Sequence, residues 1–181
     1  MIAPVRPDPS WRRRRLLAWA GAAGVLATAV AGCGDDAGSA PSVDADTAVV
    51  EYRFTDSSVP PEYHRSYTLT VAGGEARIVV DSYGDVLHDE TAAVDDATWT
   101  ALLDDVEQLD GLGDDPDDQC DGGTSHELQV TDRDHADGDP AVAAHVGVCG
   151  GSGRDDADQV ERAVQPALDL FDMDLLLAPS D

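Results

Sequence analysis

The sequence predicts an α+β domain: a small antiparallel sheet of about five strands, element order βββ-α-ββ-α, with two helices packed on one face. Three observations carry that expectation. Five segments alternate apolar and polar residues with a period of two, as strands with one buried face do. Two segments repeat apolar residues at spacings of three and four, as amphipathic helices do. Each helical segment follows a run of strands, an order that suits helices laid on one face of an antiparallel sheet.

In the first strand Ala48, Val50, Tyr52 and Phe54 face one way, and Glu51, Arg53 and Thr55 the other. In the second, Tyr67, Leu69 and Val71 alternate with Ser66, Thr68 and Thr70. Residues 72–75, AGGE, then turn the chain into Ala76, Ile78 and Val80, which alternate with Arg77, Val79 and Asp81. This is a hairpin with a glycine turn. From Asp95 the period changes, and Trp99, Leu102, Leu103, Val106 and Leu109 fall on one helical face. Asp95 or Asp96 suits the amino cap and Gly111 the stop. His126, Leu128 and Val130 form one face of a fourth strand; Val142, Ala144, Val146 and Val148 form one face of a fifth. Residues 155–176 carry Val160, Val164, Ala167, Leu170 and Phe171 at helical spacing. Pro166 should break or kink that helix, because its ring clashes with the preceding turn and it lacks an amide hydrogen.

Ahead of this domain, Arg12 to Arg15 precede an uncharged run from Leu16 to Gly32, the order of a signal peptide. A membrane span needs roughly 20 strongly apolar residues, and this run is shorter and mostly Ala and Gly, so a permanent span is not expected. Val30, Ala31, Gly32 and Cys33 resemble the lipobox of prokaryotic lipoproteins. The resemblance implies cleavage before Cys33, a diacylglyceryl group on its thiol, and a protein held by membrane lipid on the extracytoplasmic face of the cell membrane. Two acyl chains hold a protein far better than one, since each buried CH₂ contributes about 0.8 kcal/mol. The plainer alternative is a non-acylated signal peptide with an incidental Cys33. Residues 12–17, RRRRLL, also fit the loose twin-arginine export pattern, so both export routes stay open. Gly34 to Asp46, rich in Gly, Ser, Pro and Asp, reads as a flexible acidic tether. The expected organisation is therefore signal peptide 1–32, lipidated Cys33 with its tether to 46, and one domain over 47–179.

The chain carries a net charge of −26. Residues 1–32 hold one acid, Asp8, and five arginines; without them 36 of the 37 acids remain against six of the 11 arginines, a net −30. Such a charge repels nucleic acids and anionic headgroups. Partners should be proteins, cationic or neutral ligands, or metal ions. So much like charge opposes folding, and composition alone places the chain near the disordered class. A saline or divalent-rich environment would reconcile charge with folding, since the Debye length falls to about 3 Å at 1 M salt. High-GC codon bias is the other source of such acidity.

Two cysteines remain, Cys120 and Cys149. With residue 131 opposite residue 142, residue 124 falls opposite Cys149, and Cys120 needs only a short return to reach it. Thiols oxidise beyond the membrane. A Cys120–Cys149 disulfide closing about 30 residues contributes roughly 3.6 kcal/mol in the loop-entropy model, whose mechanism is disputed. The CxxC spacing of redox sites is absent, so the expected role is structural.

The solvent face of the sheet should gather Glu51, Arg53, Thr68, Thr70, Arg77, Glu127, Gln129 and His145. Arg53 and Arg77 are its partner-binding candidates. The preferred reading is structural, with cross-strand ion pairs to Glu51, Asp81 or Glu127 relieving repulsion. Residues 59–67, VPPEYHRSY, crowd Tyr63, His64, Arg65 and Tyr67 behind two prolines, and resemble segments of uncharacterised bacterial exported proteins. A rigid loop of this kind offers a contact epitope; strand lead-in with tyrosines in the core is the preferred alternative. Residues 132–140, DRDHADGDP, offer Asp132, Asp134 and Asp137 as weak metal candidates, but Ala136 stands where an EF-hand loop places an oxygen ligand, and the glycine comes one residue late. No cofactor is implied beyond weak calcium binding. His126 lies on an apolar strand face and reads as a satisfied core histidine. No HExxH, P-loop lysine or GxSxG occurs. The sequence points to an anchored extracytoplasmic lipoprotein with a binding module rather than an enzyme. A calcium-dependent surface protein, and behind it a hydrolase with an unrecognised site, are the alternatives.

Overall fold

Six strands pair antiparallel into one open sheet in the order β4-β3-β2-β1-β5-β6: β1 (Ala48–Thr55), β2 (Ser66–Ala72), β3 (Glu75–Ser82), β4 (Asp85–Ala93), β5 (Thr124–Asp132) and β6 (Val142–Val148). The structure, a computed structural model, describes residues 43–113, 122–135 and 139–179. The signal peptide, Cys33, Cys120 and Asp137 lie outside the described residues. Three helices complete the fold: α1 (Asp96–Val106), α2 (Arg154–Leu168) and the short α3 (Met173–Leu176). This is an α+β fold.

Alternation sets the layers. Val50 pairs with Val71 on one side and Val130 on the other, and Tyr52 with Leu69 and Leu128, so one apolar stripe runs across β2, β1 and β5. Ile78 and Val80 extend it on β3, and Val142, Ala144 and Val146 on β6. Leu102, Leu103 and Val106 of α1 and Val160, Val164 and Ala167 of α2 bury into the same core. Asp95 caps α1, accepting a hydrogen bond from the Thr98 N–H at 2.7 Å.

Four features differ from the sequence reading. β4 is a strand where none was expected, because at a sheet edge neither of its faces is buried enough to impose alternation. A register shift between Val80 and Asp81 marks a bulge in its pairing with β3. The β5–β6 register places Val130 opposite Val142 and Thr124 opposite Val148, one residue away from the expected pairing. Directly opposed residues share a face, so the inward even-numbered residues of β5 must meet the inward even-numbered residues of β6. α2 runs unbroken through Pro166 and ends two residues later at Leu168. A proline this near the end forfeits one bond of the last turns, and the burial of Ala163, Val164 and Ala167 around it holds the helix on the core.

The free side of β6 is covered by the chain itself. The Gly111 N–H donates to the Ala143 carbonyl (2.9 Å) and the His145 N–H to the Leu112 carbonyl (3.0 Å). Further along, a short strand β7 (Gly150–Gly153) folds back on β6. A Cβ on Gly153, which has φ +75°, would collide with the Gly147 carbonyl oxygen, so only glycine allows this approach. Val43 packs on the core, and the Trp99 indole and Arg133 guanidinium bind the Ala45 and Asp46 carbonyls at 3.1 and 2.7 Å. The last residues of the expected tether are thus tied to the domain.

Candidate functional site

The face of the sheet away from the helices presents two polar rows. One runs Val79, Thr68, Arg53, Glu127, His145; the other runs Arg77, Thr70, Glu51, Gln129, Ala143. The structure therefore brings together all eight residues assigned to this face. Arg77 is engaged there by Asp89 of β4 through two hydrogen bonds, Nε to Oδ1 at 2.8 Å and Nη2 to Oδ2 at 2.6 Å. The pair holds the Asp89 carboxyl below its ordinary value and raises the guanidinium further. Arg77 thus has its ion pair, with a partner that the sequence reading could not name while β4 went unseen.

Arg53 is exposed, and among the described residues no hydrogen bond or ion pair engages its side chain. Its neighbour Glu127 lies 3.8 Å from the His145 Nε2. Beside them Thr55, Gly123, Thr124, Ser125 and Gly147 complete the lining of a hollow of about 310 Å³. A carboxylate, an imidazole and three hydroxyls thus line this hollow at one end of the open face, and Arg53 stands beside it as the cross-strand neighbour of Glu127, so that both donors and acceptors are on offer. A larger hollow of about 430 Å³ between α1 and α2 includes Asp105, Gln108, Gln159 and Arg162, none of them a candidate from the sequence.

The segment from 59 to 67 divides. Tyr63 is exposed, whereas His64, Arg65 and Tyr67 are buried. The Arg65 guanidinium donates to the carbonyls of Ala178 (Nε at 3.1 Å, Nη2 at 2.9 Å), His64 (2.6 Å) and Glu62 (3.2 Å), fastening the proline loop to the chain's far end. His64 stacks on Tyr83 at 3.8 Å between ring centroids, and the Tyr83 hydroxyl donates to the Val59 carbonyl at 2.6 Å.

Where α2 meets the sheet lies a polar cluster, buried at Tyr52 and His126 and half-exposed at Glu161 of the helix. The Tyr52 hydroxyl is 2.8 Å from His126 Nδ1, which is 3.9 Å from the Glu161 carboxylate. Burial lowers the His126 pKa, raises that of Glu161, and pushes the Tyr67 hydroxyl up to about 12. His126 is a hydrogen-bonded core histidine.

The Asp132 carboxylate accepts from the Asp134 N–H at 2.8 Å, a local turn contact. Among the described residues no group of three or more His, Cys, Asp or Glu is placed to hold a metal ion. Cys149 follows β6 and forms an isolated bridge with Ser152; its side chain has a partner. With Cys120 outside the described residues, their pairing stays a proposal. No helix among the described residues is long and apolar enough to cross a membrane. Comparisons of the chain with protein-family models, with curated proteins and with solved structures find no match.

Proposed function

We propose that the chain is a lipoprotein anchored through Cys33 on the extracytoplasmic face of the cell membrane, with a domain that works as a binding module rather than an enzyme. The observation that carries the binding part is Arg53, exposed and unengaged among the described residues, beside the hollow of Thr55, Ser125, Glu127 and His145. In a chain this acidic a cation left without a carboxylate is a group available to a partner. The arrangement suits a neutral polar ligand or protein segment that offers carbonyl oxygens to Arg53 and amide or hydroxyl donors to Glu127. The anchor rests on the lipobox resemblance and on the uncharged run before it.

One experiment tests both parts. Protein crosslinked in the membranes of the cells that make it is captured with its partners, and its own intact mass is read from the same sample. The expected chain begins at Cys33, is heavier by a diacylglyceryl group, and is lighter by two hydrogens until Cys120–Cys149 is reduced. Arg53→Ala should lose a partner that Arg77→Ala retains, since Arg77 is occupied by Asp89. A mass retaining residues 1–32 would end the anchor reading. An identical partner list for wild type and Arg53→Ala would end the sheet-face reading.

A further inference from the structure

The two edges of the sheet are treated differently. β6 is covered by residues 110–113, with the Ala143 N–H also donating to the Asp110 carboxylate at 3.2 Å. β4 is the opposite edge, nine residues long, and among the described residues no strand pairs with its outer side. Its free backbone groups can be assigned by parity. The Val94 N–H donates to the Gly74 carbonyl at 2.9 Å, directly beyond the Ala93–Glu75 pair. In an antiparallel ladder bonded and non-bonded pairs alternate, so Ala92, Glu90 and His88 exchange bonds with β3, while Thr91 and Asp89 turn their N–H and C=O outward. Such a row is a template for another strand.

We propose that the outer edge of β4 takes an extended basic peptide segment as a seventh strand. Charge selects the occupant. Asp85 and Glu90 are exposed on β4, Glu75 is exposed beside it on β3, and Arg77 of β3 is already held by Asp89. A second copy of the chain, paired antiparallel along this edge, would bring the acids of one β4 close to those of the other, on molecules that each carry −26. An extended segment with basic side chains at alternate positions meets Glu90 and Asp85 with opposite charge and adds main-chain hydrogen bonds at Thr91 and Asp89. At the Asp85 end, Val86 (62 % exposed) and Tyr83 (57 % exposed) supply apolar surface for one residue of the segment.

The probe is a labelled nine-residue peptide of alternating lysine and valine, followed by fluorescence anisotropy against the full chain in mild detergent at low ionic strength. Binding is expected in the micromolar range. Thr91→Pro removes one outward N–H without touching a β3–β4 bond, and proline is tolerated on edge strands. It should weaken binding at least about tenfold, whereas Thr91→Ala should leave it within about twofold. The same peptide methylated on every second backbone nitrogen, in each of the two registers, keeps its charge. One register should lose binding to the wild-type chain, a result that does not depend on any variant folding. No binding, or equal binding by both methylated peptides, would overturn the proposal, the latter showing charge attraction to an acidic surface without strand addition. Arg53→Ala should leave this binding unchanged, so the edge and the open face fail separately.

Discussion

Tyr52 and His126 fix one another's protonation. Burial lowers the His126 pKa and raises that of Tyr52, so near neutral pH the hydroxyl donates and Nδ1 of a neutral imidazole accepts. In the unfolded chain the imidazole titrates near 6.5. Its contribution to stability is complete above that value and falls as pH drops toward the depressed folded value, because only the unfolded chain then takes up the proton. Glu161 has the opposite sense: its raised carboxyl contributes below about 4.5 and that contribution is lost as pH rises through the folded value. The many other acids lose mutual repulsion as pH falls, so wild type must be set against His126→Gln, which keeps an acceptor for Tyr52. Urea midpoints taken at about pH 7.5 and 5.5 should fall further, or rise less, in wild type than in the variant. Equal slopes would rule out the buried neutral histidine. The inward place of His126 was legible from its alternation with Leu128 and Val130. That of Arg65 was not, because its carbonyl partner at Ala178 lies 113 residues away and nothing near Arg65 announces it.

Among elements, those with one buried face were legible and those without one were not. β1, β2, β3, β5 and β6 each alternate because the core filters every second residue. In β4 the core filters nothing, and the open-face site lost Asp89 along with it. After β6 one glycine is required by a contact and another is not. Gly153 has φ +75° and its Cβ would strike the Gly147 carbonyl oxygen, whereas Gly150, with φ +57°, would meet nothing within 4 Å. Gly150→Ala should therefore cost about 1 kcal/mol, the ordinary penalty of a left-handed alanine. Gly153→Ala adds displacement of β7 and the start of α2, and should cost about 2–4 kcal/mol. Urea unfolding of the two variants measures the difference, and equal costs would refute the close approach.

At the scale of the molecule, charge decides how the fold survives its own composition. Among the described residues the buried polar side chains are His64, Arg65, Ser66, Ser82 and His126, so no acid lies in the core. The carboxylates repel through solvent, where salt screens them, and the core is built from apolar burial that salt does not remove. Fold class was legible in spite of the acidity because periodicity is set by the core alone. The binding face was legible as a face, yet its hollow was not, since Thr55, Ser125 and Gly147 come from three strands whose ends meet only in the folded sheet. If the acids mark a saline habitat, repulsion limits stability at low salt. The melting temperature should then rise by several degrees between about 0.05 M and 1 M sodium chloride, as the Debye length shrinks to about 3 Å. Chloride is the proper salt, because sulfate strengthens apolar burial in any protein. A midpoint that stays flat would mean that the surface acids are already far enough apart to be harmless, leaving codon bias as the source of the acidity.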